Sequence, residues 1–369
     1  MKIKNNINVW SYLEEYNLYK TRILKLVNKV FSSGQLILGK EVSKFEKNFA
    51  SYNKAKFAIG VNSGTDAILI GLMALGVKSG DEVITVSNTA VPTVSAIVSI
   101  GAKPVFVDIN ESDFLIDYRK IEKKISKKTK VIIPVNLYGQ SANLKEIKKI
   151  SNKYKLKILE DCAQSMGAKY YGKMSGTIGD ISAFSFYPTK NLGAYGDGGA
   201  IVTNNANLYQ KSKMLRKYGM KKLYYSEIHG VNSRLDEVQA AILNFKLSLM
   251  KNYITRRRSI AKFYNKMIKN NLLTLPIENK NCFHSYYIYV LRSKNRKKIL
   301  KHLKQNKIFC NVSYPFPIHL MKGYKNLNYK KGDLPITEKI SKEIMSIPMY
   351  PYLNSQKLKK IVKILNEFN

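Results

Sequence analysis

From Phe57 to Thr203 the chain alternates short apolar runs with segments whose apolar residues recur at helical spacing. The runs cover 57–61, 82–86, 104–108, 131–135, 156–160, 181–186 and 200–203, and helices are predicted between them over 65–75, 92–100 and 143–154. A strand, a crossing helix and a second strand return to one sheet in parallel. The pattern therefore predicts an α/β fold with a mostly parallel sheet covered by helices on both faces. Ligands of such sheets bind at the carboxyl ends of the strands, which singles out loops 62–66, 87–90, 161–167 and 188–199.

Two amphipathic helices are predicted ahead of this region, one over 11–31 and one after Gly39 with Val42, Phe45, Phe49 and Tyr52 on one face. After the loop 219–232 a long helical pattern starts at Arg234 and runs past Tyr253 toward Asn270. A strand over 285–291 and helices over 296–305, 340–347 and 356–368 then predict a smaller α/β unit. The expected division is 1–250 for the N-terminal segment and large domain, and 251–369 for the small domain.

A net charge of +38 invites a nucleic-acid reading. The lysines, however, are spread along the whole chain, and only nine residues are arginine. The clusters Arg256-Arg257-Arg258 and Lys297-Lys298 fall inside helical patterns and read as solvated faces. A positive field also suits a small anionic substrate. Three widely spaced cysteines and four histidines without zinc-type spacing predict neither a disulfide framework nor a metal. No apolar run reaches membrane-spanning length, and the polar start Met1-Lys2-Ile3-Lys4-Asn5-Asn6 does not read as an export signal, so a cytoplasmic protein is expected.

The strand-end loops carry the chemistry. Lys190 stands in a Pro- and Gly-rich turn after the run 181–186, where a lysine is a candidate Schiff-base nucleophile or one more surface cation. Asn62-Ser63-Gly64-Thr65-Asp66 lies between a strand and a helix, a place for an anion or simply for a helix cap. Asp161 ends an apolar strand and needs a positive partner, either a lysine or a protonated pyridine nitrogen. Gly196, Gly198 and Gly199 permit close backbone approach or a tight turn. An anion nest, a strand-end acid and a strand-end lysine together describe a pocket for pyridoxal 5'-phosphate, whose phosphate, ring nitrogen and aldehyde each need one of them.

The motifs Ser63-Gly64-Thr65-Asp66-Ala67, Glu160-Asp161-Cys162-Ala163-Gln164, Ser185-Phe186-Tyr187-Pro188-Thr189-Lys190-Asn191-Leu192-Gly193, Gly196-Asp197-Gly198-Gly199 and Asn232-Ser233-Arg234-Leu235-Asp236 carry a resemblance. In order and spacing the chain resembles, over nearly its full length, the DegT/StrS-type sugar aminotransferases. The resemblance implies the aspartate-aminotransferase fold (PLP fold type I), with a mixed, mostly parallel seven-stranded sheet and a smaller C-terminal α/β domain. It implies that Lys190 forms the Schiff base with the cofactor and then moves the substrate proton. By the same likeness Asp161 holds the pyridinium nitrogen, Gln164 contacts the phenolic oxygen, and Gly64, Thr65 and Ser185 hold the phosphate. Asn232 would reach the phosphate of a neighbouring subunit, which implies a homodimer with shared active sites.

Glutamate is the family's usual donor, pyridoxamine phosphate (PMP) the aminated form of the cofactor, and a nucleotide-linked keto sugar the second substrate. Many relatives stack an aromatic residue on the cofactor from the position held here by Ala90. The loop from Ser87 to Ile97 instead resembles the branch that aminates C3 of dTDP-linked 3-keto-6-deoxyhexoses for surface glycan synthesis, with amination at C4 as the alternative. Tyr187 and His319 are the candidates for sugar contact. Relatives that dehydrate sugars carry histidine where Lys190 stands. A basic regulatory or nucleic-acid-binding protein is the remaining alternative.

Overall fold

The computed structural model describes residues 6–369. Residues 1–5, most of the polar start that argues against an export signal, lie outside that range. Seven strands form the central sheet: β1 (Phe57–Val61), β2 (Glu82–Val86), β3 (Lys103–Val107), β4 (Thr129–Ile132), β5 (Lys157–Asp161), β6 (Ile181–Ser185) and β7 (Gly199–Thr203). Their spatial order is β1-β7-β6-β5-β4-β2-β3. Strand β7 runs antiparallel to β1 and β6, and the other neighbours pair in parallel. The alternating pattern predicts a mostly parallel sheet, and the mixed seven-stranded form is the one the family resemblance implies.

The strands are apolar on both sides because helices cover both faces. Helix Gly64–Ala74 is apolar nearly all round and buries Ile68, Ile70 and Leu72. It sits so close to the sheet that a Cβ on Gly71 would lie 2.7 Å from Leu159 Cδ1. On the opposite face, Phe45 and Phe49 of helix Lys40–Tyr52 meet Phe184 and Phe186 edge to face, with ring centroids 5.2 to 5.3 Å apart. The start of that helix is capped from far away: the Glu237 carboxylate accepts the N–H groups of Gly39, Glu41 and Val42.

The C-terminal region builds on two antiparallel strands, Tyr289–Arg292 and Ile344–Ile347, with helices Arg296–Gln305 and Ser355–Asn366. Ile7 joins this cluster, bridging to Ile308, and Trp10 packs beside it. The N-terminal segment thus crosses to the unit grouped by sequence as 251–369.

Two elements differ from the sequence reading. The long helical pattern after Arg234 divides at Leu249 into Glu237–Ser248 and Met250–Met267. Leu243 and Leu247 of the first helix serve the large-sheet core, while Ile260 and Tyr264 of the second serve the C-terminal core. The helix predicted over 340–347 is Pro335–Glu343 followed by the strand Ile344–Ile347. Four consecutive buried residues carry no period, and pairing with Tyr289–Arg292 decides their state. Among the described residues, no helix is long and apolar enough to cross a membrane.

Candidate active site

A cavity of about 550 Å³ opens at the carboxyl ends of β1, β5 and β6. One wall is the start of helix Gly64–Ala74. Ser63 caps it, its Oγ accepting the Asp66 N–H at 3.1 Å, which leaves the Thr65 hydroxyl on the cavity wall. A Cβ on Gly64 would fall 2.7 Å from Ser185 Cβ, and one on Gly199 would fall 2.3 Å from the Ser63 carbonyl oxygen. Two missing side chains therefore let the positive end of the helix dipole press against the ends of β6 and β7, with Ser185 alongside. The result is a concave cradle of N–H and hydroxyl donors suited to a phosphate.

Asp161 ends β5 and is 4% exposed. The Thr93 hydroxyl donates to Oδ2 at 2.7 Å and the Ala163 N–H to Oδ1 at 3.1 Å. Burial pushes its carboxyl above the usual range, opposed by Thr93, Ala163 and the nearby Lys190 charge. Among the described residues no cation lies within ion-pair distance of it, so a buried acid on the cavity wall keeps room for a cationic N–H.

Lys190 stands across the same cavity, in a turn closed by Lys190 N–H to the Tyr187 carbonyl at 2.8 Å and Ala194 N–H to the Phe186 carbonyl at 2.7 Å. The Asn191 side chain ties this turn to the Met166 carbonyl. The Lys190 ammonium nitrogen lies 4.8 Å from the centre of the Tyr287 ring, whose hydroxyl meets Thr189 Oγ1 at 2.9 Å. Gln164 is oriented by its backbone neighbour: Oε1 accepts the Tyr138 N–H at 3.0 Å, so Nε2 faces the other way and donates to the Tyr314 hydroxyl at 2.6 Å. Burial holds the Tyr314 phenol well above its ordinary pKa, which keeps it a neutral partner.

Gly64, Thr65, Asp161, Gln164, Ser185, Tyr187 and Lys190 thus share one cavity, with Ala90 on its wall. Tyr187 stands at the rim, 53% exposed. Two of the sequence candidates lie elsewhere. Asn232 is exposed and does not line the cavity of its own chain, although Ser233 beside it ties that loop to the helix start by donating to Asp66 at 2.7 Å and accepting the Asn62 N–H at 3.0 Å. His319 is a correction. Its imidazole is fully buried, with Nδ1 2.8 Å from Ser87 Oγ and Nε2 3.2 Å from Glu338 Oε1, so both ring nitrogens are occupied and no face is open to a sugar.

The cavity also takes Thr93, Tyr287, Asn311, Ser313 and Tyr314, which sequence reasoning passed over. Thr93 stood inside the loop from Ser87 to Ile97 already singled out, but nothing in local spacing shows that a residue near 314 meets Gln164. Among the described residues no group of three His, Cys, Asp or Glu could hold a metal. An anion cradle, a buried acid and an amine around one cavity fit a ring that carries a phosphate, a basic nitrogen and an aldehyde.

The protein-family model of the DegT/DnrJ/EryC1/StrS aminotransferases matches residues 18–366. The chain is 44% identical to the dTDP-3-amino-3,4,6-trideoxy-alpha-D-glucose transaminase of Micromonospora megalomicea subsp. nigra, over 97% of this chain and 98% of that protein. It is 43% identical to the dTDP-3-amino-3,6-dideoxy-alpha-D-galactopyranose transaminase of Aneurinibacillus thermoaerophilus, over 96% and 98%. The crystal structure of S. venezuelae DesV in complex with a ketimine intermediate matches with a TM-score of 0.96 at 33% identity, covering 99% of this chain and 98% of that one. With the family model matching 18–366 and relatives at 44% and 43% identity covering nearly the whole of both chains, the chain belongs to the DegT/DnrJ/EryC1/StrS aminotransferase family.

Proposed function

We propose that the protein is a pyridoxal-phosphate-dependent aminotransferase that moves an amino group from glutamate to the C3 keto group of a dTDP-linked 3-keto-6-deoxyhexose. The product is a dTDP-3-amino-3,6-dideoxyhexose, a precursor for surface glycans. One observation carries the chemistry: the buried Asp161, with no ion-pair partner among the described residues, shares a cavity with Lys190 and a glycine-lined helix start. The C3 position and the dTDP carrier rest on the two transaminases at 44% and 43% identity, both named for 3-amino dTDP sugars.

In this reading Gly64, Thr65 and Ser185 hold the phosphate and Asp161 holds the protonated ring nitrogen. Gln164 turns its amide N–H toward the ring's phenolic oxygen, the orientation set by Tyr138. When bound, the cofactor supplies a ring that accepts the electrons left behind as a proton leaves the substrate carbon. Lys190 Nζ, on its closed turn, takes that proton as a base and returns it as an acid. Tyr187 at the rim contacts the sugar. Exposed Asn232 completes the phosphate site of a second copy, so the working form is a homodimer with two shared sites. The lysine-rich surface draws in the diphosphate of the nucleotide sugar.

The test is incubation of the holoenzyme with glutamate and, separately, dTDP-linked 3-keto and 4-keto 6-deoxyhexoses, with NMR reading which carbon acquires nitrogen. Amination at C3 is expected; amination at C4 alone, or equal turnover of both sugars, overturns the regiochemistry.

A further inference from the structure

Behind the acid that faces the cavity runs a second feature that the mechanism above leaves unused. Asp161 Oδ2 accepts the Thr93 hydroxyl at 2.7 Å, and Thr93 Oγ1 lies 2.9 Å from Thr89 Oγ1. A hydroxyl has one proton to give. Since Thr93 gives its own to Asp161, Thr89 must donate to Thr93, and the chain has a single direction: Thr89 to Thr93 to Asp161. Both threonines are 1% exposed, so water does not substitute for either bond. Hydrogen bonds in such a row polarise one another, and the last is charge-assisted.

The position of the pair matters as much as its bonds. Thr89 ends the loop that follows β2, and Thr93 lies in the first turn of helix Val91–Ser99, its N–H accepted by the Ala90 carbonyl at 3.2 Å. Between them Ala90 and Pro92 form cavity wall. The loop is pinned at its start by Ser87, whose Oγ accepts the His319 N–H at 3.0 Å and meets the buried imidazole. A rigid loop therefore carries both the cavity wall at Ala90 and the donors that reach Asp161.

We propose that Thr93, backed by Thr89, is a positioning residue that keeps the Asp161 carboxylate ionised and aimed at the ring nitrogen, so that the shared proton stays on nitrogen. The inference rests on the pyridoxal reading of the cavity. Ionised Asp161 is stabilised by donors, whereas Asp161 in its acid form gains little from them. Loss of the Thr93 proton therefore makes Asp161 a stronger base and draws the proton away from the ring. The other groups facing Asp161 are the Ala163 N–H on its own strand end, Lys190 from the turn after β6 and the Tyr314 phenol from the C-terminal segment. Of these, the Lys190 side chain, where its amine is free, favours the same ionised state. Cys162 turns away, toward Ser175 and Glu160.

The test uses wild type, Thr93→Val, Thr93→Ser and Thr89→Val. Apo-protein is titrated with pyridoxal phosphate; holoenzyme loaded with cofactor labelled with 15N at the ring gives the nitrogen chemical shift; and the half-reaction with glutamate gives a pH profile. For Thr93→Val, cofactor binding is expected to weaken about tenfold or more, the ratio that follows from losing one bond to a charged group. The nitrogen resonance is expected to move toward unprotonated pyridine, and the acid limb of the profile to rise by about one pH unit. Thr93→Ser restores all three readouts, and Thr89→Val gives a smaller shift in the same direction, which keeps the idea testable if Thr93→Val fails to fold. A merely structural threonine would lower yield or turnover without moving the nitrogen resonance. Wild-type values in Thr93→Val, or no rescue by Thr93→Ser, overturn the inference while leaving the aminotransferase reading intact; wild type that binds no pyridoxal phosphate overturns both.

Discussion

Replacing Gly64 with alanine tests the phosphate cradle with one methyl group. The new Cβ would lie 2.7 Å from Ser185 Cβ and 3.2 Å from Ser185 Cα. Carbon atoms rest at about 3.5–4.0 Å, so the helix start and the strand end must part by about 1 Å. Because Ser185 Cα is backbone, a side-chain rotation does not relieve the clash. Gly64 does not have a left-handed φ, so alanine is not strained there, and the gain in helix propensity of up to about 1 kcal/mol offsets part of an overpacking cost of about 1–3 kcal/mol. Overall stability should change little.

Phosphate binding should change a great deal. An N–H to phosphate bond near 2.9 Å that lengthens by about 1 Å is no longer a hydrogen bond. Losing two such bonds, each worth about 1.5–3 kcal/mol, weakens cofactor binding by at least about a hundredfold. The assay is a titration of apo-protein with pyridoxal phosphate, alongside thermal melts of the apo form. Gly323→Ala, with nothing within 4 Å of the added Cβ, is the control. A Gly64→Ala protein that melts like wild type and binds the cofactor within about threefold of it would refute the assignment of the helix start to the phosphate, since the magnitude follows directly from bond loss.

Lys190→Ala should abolish the glutamate half-reaction and the borohydride-stable attachment of cofactor to protein, read by intact mass; attachment that survives at another lysine would reject Lys190 as the nucleophile. Burial pushes the His284 imidazole down to about 3, and its Nδ1 accepts the Tyr286 N–H at 2.9 Å. The unfolded chain takes up this proton first as pH falls through the ordinary 6.5, so the stabilisation is complete above that pH and is lost progressively down to about 3. The full loss is on the order of 5 kcal/mol by linkage, and urea midpoints at pH 7, 5.5 and 4.5 should fall more steeply in wild type than in His284→Gln. Glu237→Ala leaves three N–H groups at the start of helix Lys40–Tyr52 without their acceptor, and urea unfolding should show a loss of about 3 kcal/mol or more; a loss below about 1 kcal/mol would mean that water replaces the cap.

Much of the site was legible in the chain because the groups that build it sit at strand ends, and strand ends are visible as the last residues of apolar runs. Asp161 was singled out in this way, Lys190 by the turn that follows the run 181–186, and Gly64 and Thr65 by the strand-to-helix transition, and the structure brings all four to one cavity. Where the reading failed, the deciding partner lay far off in sequence. His319 was a candidate for sugar contact, yet Ser87 and Glu338 close on it from two other segments. Ile344–Ile347 continued a helical pattern until a strand more than fifty residues earlier claimed it.

By itself, then, the sequence determined the parallel βα succession and the loops at the carboxyl ends of its strands, since these depend on spacing within a few residues, and it offered Asp161, Lys190 and the 62–66 loop as candidate groups whose roles rest on the family resemblance. The tertiary structure decided which distant residues complete them. Glu237 caps a helix 195 or more residues before it, Tyr314 meets Gln164 across 150, and Thr93 steadies Asp161 across 68. The strand order β1-β7-β6-β5-β4-β2-β3 sets those meetings. Periodicity records which face of an element is buried but not which element will cover it, and that choice is made only when the whole sheet closes its two faces together.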